Sequence, residues 1–214
     1  MREEIFAAAR SLSAHGLVTA FGHASARQGA DAFLITPPVP LGSLWHGDVL
    51  HEVSLDRDEL PEGVPGEVWV HWAIYNARPE LNGICRAQPP VATALASAGV
   101  PIKPLHGQGA FVGREVPVYE DARLIRGREA GEALAKSLGS AHGVIMRGNG
   151  AVTVGESIGA AVSRMWVLER SAEINRDAAS AGTPRALDEE EFAYWDGLNA
   201  EILPRIWRYL KANA

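Results

Sequence analysis

The chain has 214 residues, of which 47% are hydrophobic and 21% charged, and this size predicts a single domain over residues 1–214 with one sizeable core. The net charge of −6 is scattered and no Lys/Arg cluster or basic helix face stands out, which argues against a surface for nucleic acid or for an anionic membrane. No apolar stretch approaches the roughly 20 residues needed to cross a bilayer, so we expect no membrane partner.

The cysteine content and the N-terminus indicate a cytoplasmic protein. Cys85 is the only cysteine, so an internal disulfide is excluded. The first residues lead into an alanine-rich helix instead of a basic segment followed by an apolar run. Because the scattered charge argues against nucleic acid and anionic membranes, we expect a small molecule or another protein as the partner.

The first predicted element is a helix over residues 2–15. Ile5, Ala8 and Leu12 recur at helical spacing, and Gly16 follows where a helix end favours a residue that can adopt positive φ.

Sheet is predicted next, and then a second helix. The short runs 32–36 and 48–55 suggest two antiparallel strands, and the polar, turn-rich segment 56–65 follows them. Residues 67–76 have a helical apolar face, with Glu67 in the first turn.

The remainder alternates helices and strands without a linker or an internal repeat. In the turn at 147–150 two glycines bracket Asn149, a residue able to take left-handed geometry, which predicts a hairpin or tight loop. The other predicted elements are strands at 82–86, 116–118, 143–146 and 151–154, helices at 90–97, 128–138 and 157–179, and one or two helices over 189–210.

Four motifs occur in the order typical of one family. They are Gly22-His23-Ala24-Ser25-Ala26-Arg27, Leu34-Ile35-Thr36-Pro37, the segment from Glu67 to Pro79, and Gly148-Asn149-Gly150. Over residues 2–179 the chain resembles the class II aldolase and adducin-head family. The resemblance implies an α/β fold, an α/β/α three-layer class II aldolase-like arrangement with a largely antiparallel central sheet.

The resemblance also implies a changed metal site. Family members that cleave sugar phosphates bind a divalent metal through three histidines, and the corresponding positions hold Arg86, Gln88 and Asn149. Arginine has no lone pair to give, and amides are weak donors compared with imidazole. We therefore expect no metal at this site and no other cofactor.

Glu67 and Arg86 are the main catalytic candidates. Glu67 matches the family's acid/base carboxylate, and a neighbouring Arg86 would favour a base over an acid there. The guanidinium fork of Arg86 suits a carboxylate or an enolate oxygen. In the alternative interpretation, Arg86 only forms a salt bridge with Glu67 and supports an inactive pocket.

His106 is the third catalytic candidate. It lies where the aldolases carry a tyrosine acid that reaches into the neighbouring subunit's site, so the resemblance implies a proton donor there. A histidine among glycines is also common as a solvated turn residue. Another alternative is a relocated metal site built from Glu67, His71, His23 and His106, for which the spacing gives little support.

The predicted substrate contacts are polar residues of the same motifs: His23, Thr36, His71, Gln88 and Asn149. For His71 a structural role, orienting Glu67 or bonding to the sheet, is the favoured alternative.

The segments that match the family's phosphate site argue against a phosphorylated substrate. Pro38-Val39 and Pro65-Gly66 replace hydroxyl donors and remove backbone N–H groups at the prolines. The pair Gly22-His23 and the segment Gly99-Val100-Pro101-Ile102 look more like the family's decarboxylase branch, which handles aromatic carboxylates.

The resemblance therefore implies a metal-independent carbon–carbon lyase, a decarboxylase or retro-aldolase. It would act through an enolate-like intermediate on a small, anionic, unphosphorylated substrate that is carboxylated or hydroxylated. The alternatives are an isomerase or cyclase using the same pocket, and a non-catalytic binding or assembly protein like the adducin head. The family's habit implies a homo-oligomer, a tetramer.

Overall fold

The structure is a computed structural model that describes residues 1–57 and 59–214. The described strands are β1 His23–Gln28, β2 Ala32–Ile35, β3 His51–Ser54, β4 Gly83–Ala87, β5 Val118–Tyr119, β6 Gly143–Met146 and β7 Gly150–Gly155. The described α-helices are α1 Arg2–Ala14, α2 Val68–Ala77, α3 Pro90–Ser97, α4 Arg128–Leu138, α5 Ile158–Ala181, α6 Glu189–Asp196 and α7 Asn199–Ala212. Two short 3₁₀ segments, Leu41–Ser43 and Gly107–Val112, lie between them.

The strands form one largely antiparallel sheet in the order β3-β2-β1-β4-β7-β6-β5. The pair β5–β6 is parallel and the other neighbouring pairs are antiparallel. The predicted pairing of the two early strands is confirmed, with Phe33 opposite Val53.

Helices cover both faces of the sheet, so the predicted three-layer α/β/α fold is confirmed. On one face, apolar side chains of α2 and α4 pack on the strands. On the other face, α1, α5 and α7 contribute to a second cluster around Phe6, Leu168 and Leu210. The central strand β4 is buried on both faces, and its end carries part of the site described below.

Most predicted elements agree with the structure to within a few residues. The helices predicted at 90–97 and 128–138 have the observed bounds, and the C-terminal segment forms two helices, α6 and α7. The strand predicted at 48–55 is shorter, β3. The predicted turn-rich segment 56–65 includes Asp58, which lies outside the described residues.

Strand β1 is a feature that the sequence analysis did not predict. Its sequence, His-Ala-Ser-Ala-Arg-Gln, contains no β-branched or aromatic residue, so its strand propensity is low. The strand nevertheless pairs with β2 and β4 in the sheet, because its alanines fit under the helices of one face and its polar residues find partners on the other.

The predicted hairpin between β6 and β7 is confirmed, but the backbone differs from the expectation. Positive φ occurs at Gly148 and Gly150, and not at Asn149. A Cβ at Gly150 would also overlap the carbonyl oxygen of Ala87 in β4. The close approach of the two backbones therefore requires glycine and holds Asn149 beside the end of β4.

Across the described part of the chain, no helix combines the length and the apolar character that a membrane span requires.

Candidate active site

The end of β4 and the start of α2 bring Arg86 and Glu67 together. In β4, Cys85 and Ala87 pack into the core under α5, so Arg86 between them points towards the α2 face. Glu67 is the N-cap residue of α2, one position before the first helical residue Val68, whereas the sequence predicted it inside the first turn. The side chain of Arg86 is 2% exposed, which makes it one of the largest fully buried side chains of the protein.

Glu67, Arg86 and Asn149 form a closed set of contacts, called the charged cluster from here on. Arg86 Nη2 lies 3.0 Å from Glu67 Oε2 and donates to Asn149 Oδ1 at 2.6 Å and to the Asn149 carbonyl at 3.0 Å. Asn149 Nδ2 donates to Glu67 Oε1 at 3.0 Å, and the Ile125 N–H donates to the same oxygen at 3.1 Å. Each member is therefore oriented by the other two.

Arg86 keeps a donor that this set does not use. Its Nε is buried and has no hydrogen-bond partner among the described residues. Burial lowers the pKa of the Arg86 guanidinium, and the charge of Glu67 acts in the opposite direction. The guanidinium therefore holds a positive charge at the pocket, while its sealed Nε is out of reach of a ligand.

A pocket of about 430 Å³ opens above the charged cluster. Two guanidinium groups, Arg86 and Arg126, and one carboxylate, Glu67, contribute its charges, so an anion is the favoured occupant. Its apolar wall includes Phe21, Val39 and Leu124, which are exposed side chains. The lining residues are Ala20, Phe21, Gly22, His23, Pro38, Val39, Pro65, Gly66, Glu67, Arg86, Gln88, Leu124, Arg126 and Asn149.

A second buried polar group, called the histidine chain, leads from the pocket into the protein. His23 Nδ1 lies 2.6 Å from His71 Nε2, His71 Nδ1 lies 2.6 Å from Ser25 Oγ, and Ser25 Oγ lies 3.0 Å from Tyr75 Oη. His23 and Ser25 share a face of β1, while His71 and Tyr75 are four residues apart on α2. Phe33 packs against the rings of His71 and Tyr75 and shields them.

Both histidines of the chain are held in the neutral form. Burial lowers the pKa of His71 to about 3, and the nearby charge of Arg86 acts in the same direction. Burial, then His71 and Arg86, lower the pKa of His23 well below its ordinary value. Burial raises the pKa of Tyr75 well above its ordinary value, so its hydroxyl stays protonated.

The predicted site residues fall into three groups by position. Lining the pocket are Glu67, Arg86, His23, Gln88 and Asn149.

His71 and Thr36 lie behind the pocket wall, and both are fully buried. The Thr36 hydroxyl accepts a hydrogen bond from the Ala24 N–H at 3.2 Å, which extends the β1–β2 pairing. The structure thus gives these two residues supporting contacts, in place of the direct substrate contact that we expected.

His106 lies outside the pocket of its own chain. Its Nε2 is 3.0 Å from Ser171 Oγ of α5, which covers the opposite face of the sheet from α2. Within one subunit, His106 and Glu67 therefore do not line the same pocket. Its action in a neighbouring subunit's pocket stays a prediction.

The sequence analysis missed three site residues. Ser25 and Tyr75 were part of recognised motifs without a role, although their two- and four-residue spacings from His23 and His71 were a usable signal. Arg126 lies in an irregular loop before α4, where no periodicity indicates its direction. It reaches the pocket beside Gly66, since a Cβ there would stand 3.5 Å from Arg126 Nε.

The residues at the family's metal position do not fit a divalent cation. Arg86 has no lone pair and carries positive charge, and both Glu67 oxygens and Asn149 Oδ1 already accept hydrogen bonds or an ion pair. No group of three or more His, Cys, Asp or Glu side chains within the described ranges is placed to hold a metal ion. The alternative of a relocated metal site gains no support, because His23 and His71 are bonded to each other and His106 lies elsewhere.

Comparisons with known proteins find relatives of this chain among decarboxylases and aldolases. The 3,4-dihydroxyphthalate decarboxylase of Arthrobacter keyseri is 28% identical over 197 residues, which are 85% of this chain and 79% of that protein. The enzyme of the same name from Rhodococcus jostii is 31% identical over 165 residues, covering 73% of this chain and 68% of that one. Among solved structures, the L-fuculose-1-phosphate aldolase from Thermus thermophilus matches with a TM-score of 0.74 and 32% identity, covering 86% of this chain and 97% of that one.

The family assignment follows from the extent of these matches. Residues 3–175 match the description Class II Aldolase and Adducin N-terminal domain, and this range contains both the charged cluster and the histidine chain. The chain therefore belongs to the class II aldolase and adducin N-terminal domain family, and its decarboxylase relatives identify it as an enzyme of the lyase kind.

Proposed function

We propose that this protein is a metal-independent decarboxylase of a small, unphosphorylated aromatic carboxylate that carries a hydroxyl next to the carboxylated carbon. The single observation that supports the proposal most strongly is Arg86, a buried guanidinium that lines the pocket beside Glu67, at the position that the resemblance assigns to the family's metal. A fixed positive charge at this position would stabilise a developing oxyanion, as a Lewis-acidic metal does.

The pocket chemistry supports an aromatic anion. Arg86 and Arg126 supply two positive charges against one negative charge from Glu67, which suits a carboxylate. Phe21, Val39 and Leu124 offer apolar contact to a flat ring. The relatives named 3,4-dihydroxyphthalate decarboxylase make hydroxylated aromatic dicarboxylates the first substrates to test.

The wall at Pro38, Val39, Pro65 and Gly66 supports an unphosphorylated substrate. These residues line the pocket but offer no side-chain donor, and the prolines have no backbone N–H. Phosphate binding depends on several such donors converging on one group.

Proton transfer through Glu67 completes a balanced reaction. Glu67 takes the proton of the substrate hydroxyl and returns it to the neighbouring carboxylated carbon, which leaves a ketone at the former hydroxyl carbon. The bond to the carboxylate then breaks, CO₂ leaves, and the electron pair restores the ring as an oxyanion. Arg86 stabilises that oxyanion, which finally takes a proton from solvent.

The open pocket supports this proposal over a non-catalytic assembly protein. An open cavity above a buried, oriented carboxylate and guanidinium is typical of an active site, whereas we expect an assembly protein to fill or block it. The isomerase or cyclase alternative would use the same oxyanion but release no CO₂, and the assay below detects that difference. The tetramer, the cytoplasmic location and the role of His106 remain predictions.

The deciding experiment measures CO₂ release from 3,4-dihydroxyphthalate and related hydroxybenzoates by the purified protein. Arg86→Lys keeps the charge beside Glu67 but loses the planar fork, so we expect kcat to fall about 10²- to 10³-fold. Glu67→Gln removes the proton carrier, and a fall of about 10²- to 10⁴-fold is expected. Arg176→Lys, an exposed substitution outside the pocket, is the matched control and should retain full activity.

Two further results would count against the proposal. Full activity of both Arg86→Lys and Glu67→Gln would remove the proposed mechanism. Loss of activity after dialysis against a chelator, with recovery on adding Zn²⁺ or Mn²⁺, would show that the reaction needs a metal.

A further inference from the structure

The histidine chain contains one more polar hydrogen than the number of hydrogen bonds between its members. His23, His71, Ser25 and Tyr75 each carry one polar hydrogen when the two imidazoles are neutral. Three contacts join the four side chains, so three hydrogens lie inside the chain and one is left over. The position of the fourth hydrogen decides which way the whole chain points.

At the inner end of the chain, formed by Ser25 and Tyr75, the fourth hydrogen would have no acceptor. Ser25 is 0% and Tyr75 1% exposed, and no other acceptor for either hydroxyl occurs among residues 1–57 and 59–214. A hydroxyl hydrogen left there would be desolvated without compensation. The arrangement with the surplus hydrogen at the inner end is therefore unfavourable.

At the outer end of the chain, next to the pocket, the surplus hydrogen can be bound to His23 Nε2. His23 lines the pocket, its Nδ1 is used by His71, and its Nε2 is not among the sealed, unpartnered atoms of the described residues. An N–H at this position can therefore bond to solvent or to a ligand. The chain then runs from the Tyr75 hydroxyl to Ser25, from Ser25 to His71 Nδ1, and from His71 Nε2–H to His23 Nδ1.

We propose that His23 is a neutral hydrogen-bond donor to an anionic oxygen of the substrate, and that His71, Ser25 and Tyr75 are positioning residues that fix its tautomer. His23 is the cross-strand neighbour of Arg86, with the two Cα atoms paired across β1 and β4. Its N–H and the Arg86 guanidinium together make a two-point clamp for a carboxylate or a phenolate. The anion recognised rests on the proposed function, whereas the tautomer does not.

The same chain argues against His23 as a proton donor. If His23 lost its Nε2 proton, the relay would have to draw its replacement from Tyr75 and leave a buried phenolate at the inner end. A charged imidazolium on His23 is opposed by burial and by the Arg86 cation. His23 therefore binds and polarises, while the proton moves through Glu67.

The first test reads the tautomers directly in ligand-free protein. NMR of protein labelled with ¹⁵N-histidine, at pH 7, should show Nε2 protonated and Nδ1 unprotonated for both His23 and His71, with signals assigned from His23→Gln and His71→Gln. A protonated Nδ1 on His23, or two protons on either ring, overturns the inference. This measurement stands whether or not a substrate of the enzyme is found.

The second test separates a hydrogen-bond donor from an acid, because an amide can donate a hydrogen bond but not a proton. His23→Leu should weaken benzoate binding about 10- to 100-fold, and His23→Gln, which restores an N–H donor, should recover most of that loss in the Kd for benzoate and in the kcat on 3,4-dihydroxyphthalate. Equal kcat losses in the two variants with benzoate binding retained in His23→Gln would show that His23 transfers a proton, and would overturn the inference.

Ser25→Ala tests the positioning role. Without the serine hydroxyl, the stated tautomer leaves only a lone pair of His71 Nδ1 without a donor, whereas the reverse tautomer would bury an N–H without an acceptor. The tautomers should therefore stay as in wild type, while the loss of this restraint on the His71 ring should weaken benzoate binding about threefold. Ser163→Ala, which also removes a buried serine hydroxyl but in α5, should change neither signal. Benzoate binding as tight as in wild type would contradict the positioning role of Ser25, and a protonated Nδ1 on His23 in this variant would contradict the placement of the surplus hydrogen. If wild type turns over no aromatic carboxylate, the proposed function fails while the tautomer result still decides this inference.

Discussion

The charged cluster and the histidine chain lie on the same face of the sheet and are buried to a similar degree, yet they are stabilised differently. In the charged cluster, a guanidinium and a carboxylate orient each other, and an amide bridges them. In the histidine chain, no member carries a charge, and the direction follows from where a surplus hydrogen can be placed. Two hydrogen-bond donors thus line one pocket for different reasons: an ion pair orients Arg86, and the tautomer of a neutral histidine orients the N–H of His23.

Removing Arg86 should have the largest effect, because it leaves the Glu67 carboxylate buried without its cation. We expect Arg86→Met to lower the free energy of unfolding by about 3–5 kcal/mol. The double variant with Glu67→Gln should recover part of this loss, since no uncompensated charge remains. Urea denaturation measures both, with Arg176→Met as the exposed control. A loss below about 1 kcal/mol for Arg86→Met would mean that charge does not hold this cluster together.

Lowering the pH should reduce the free energy of unfolding, because the two histidines of the chain bind protons only when the protein is unfolded. Burial lowers the pKa of His71 to about 3, and His23 is shifted in the same direction, while an unfolded histidine titrates near its ordinary value of roughly 6.5. Below that pH, the two histidines are protonated in the unfolded protein but stay neutral in the folded protein. Stability that is present above about pH 6.5 is therefore lost as the pH falls towards 3. Each histidine contributes a slope that approaches about 1.4 kcal/mol per pH unit.

Urea denaturation between pH 7 and pH 4 checks this slope, with His71→Gln as the comparison. The variant should show a shallower dependence, because other buried groups such as His142 contribute equally to both proteins and cancel. Parallel curves for wild type and His71→Gln would contradict the assignment of the acid effect to this chain.

Tyr75→Phe should have the smallest effect. The variant removes the inner hydrogen bond of the histidine chain but leaves only a lone pair of Ser25 without a donor, so we expect a loss of about 1 kcal/mol in the free energy of unfolding. The tautomers should remain as in wild type, because the surplus hydrogen still has its place on His23. Tyr209→Phe, at an exposed tyrosine, is the control and should be close to neutral. A change of tautomer in Tyr75→Phe would contradict the placement of the surplus hydrogen on His23.

The sequence predicted those parts of the fold and site that depend on local pattern. The amphipathic helices α3 and α4 and the hairpin before β7 follow from periodicity and from the glycines at 148 and 150. The contact between Glu67 and Arg86 was expected from the order of the motifs, and the structure places the two side chains 3.0 Å apart. These features need only residues that are near in sequence or within a recognised motif.

Other features depended on contacts between distant segments. β1 has weak strand propensity and exists because both of its faces find partners. Arg126 enters the pocket from an irregular loop, and His106 is turned away from it by packing on α5. No local spacing encodes either direction.

By itself, the sequence determined the three-layer fold and the class II aldolase and adducin N-terminal domain family, and it holds Arg86, Gln88 and Asn149 where the resemblance implies metal-ligand histidines. Only the tertiary structure decided that His23, 48 residues from His71, meets it across the sheet and helix at 2.6 Å. The physical reason is that composition and motif order fix which groups are present, whereas hydrogen-bond direction depends on which buried atoms have a partner once distant elements have packed together.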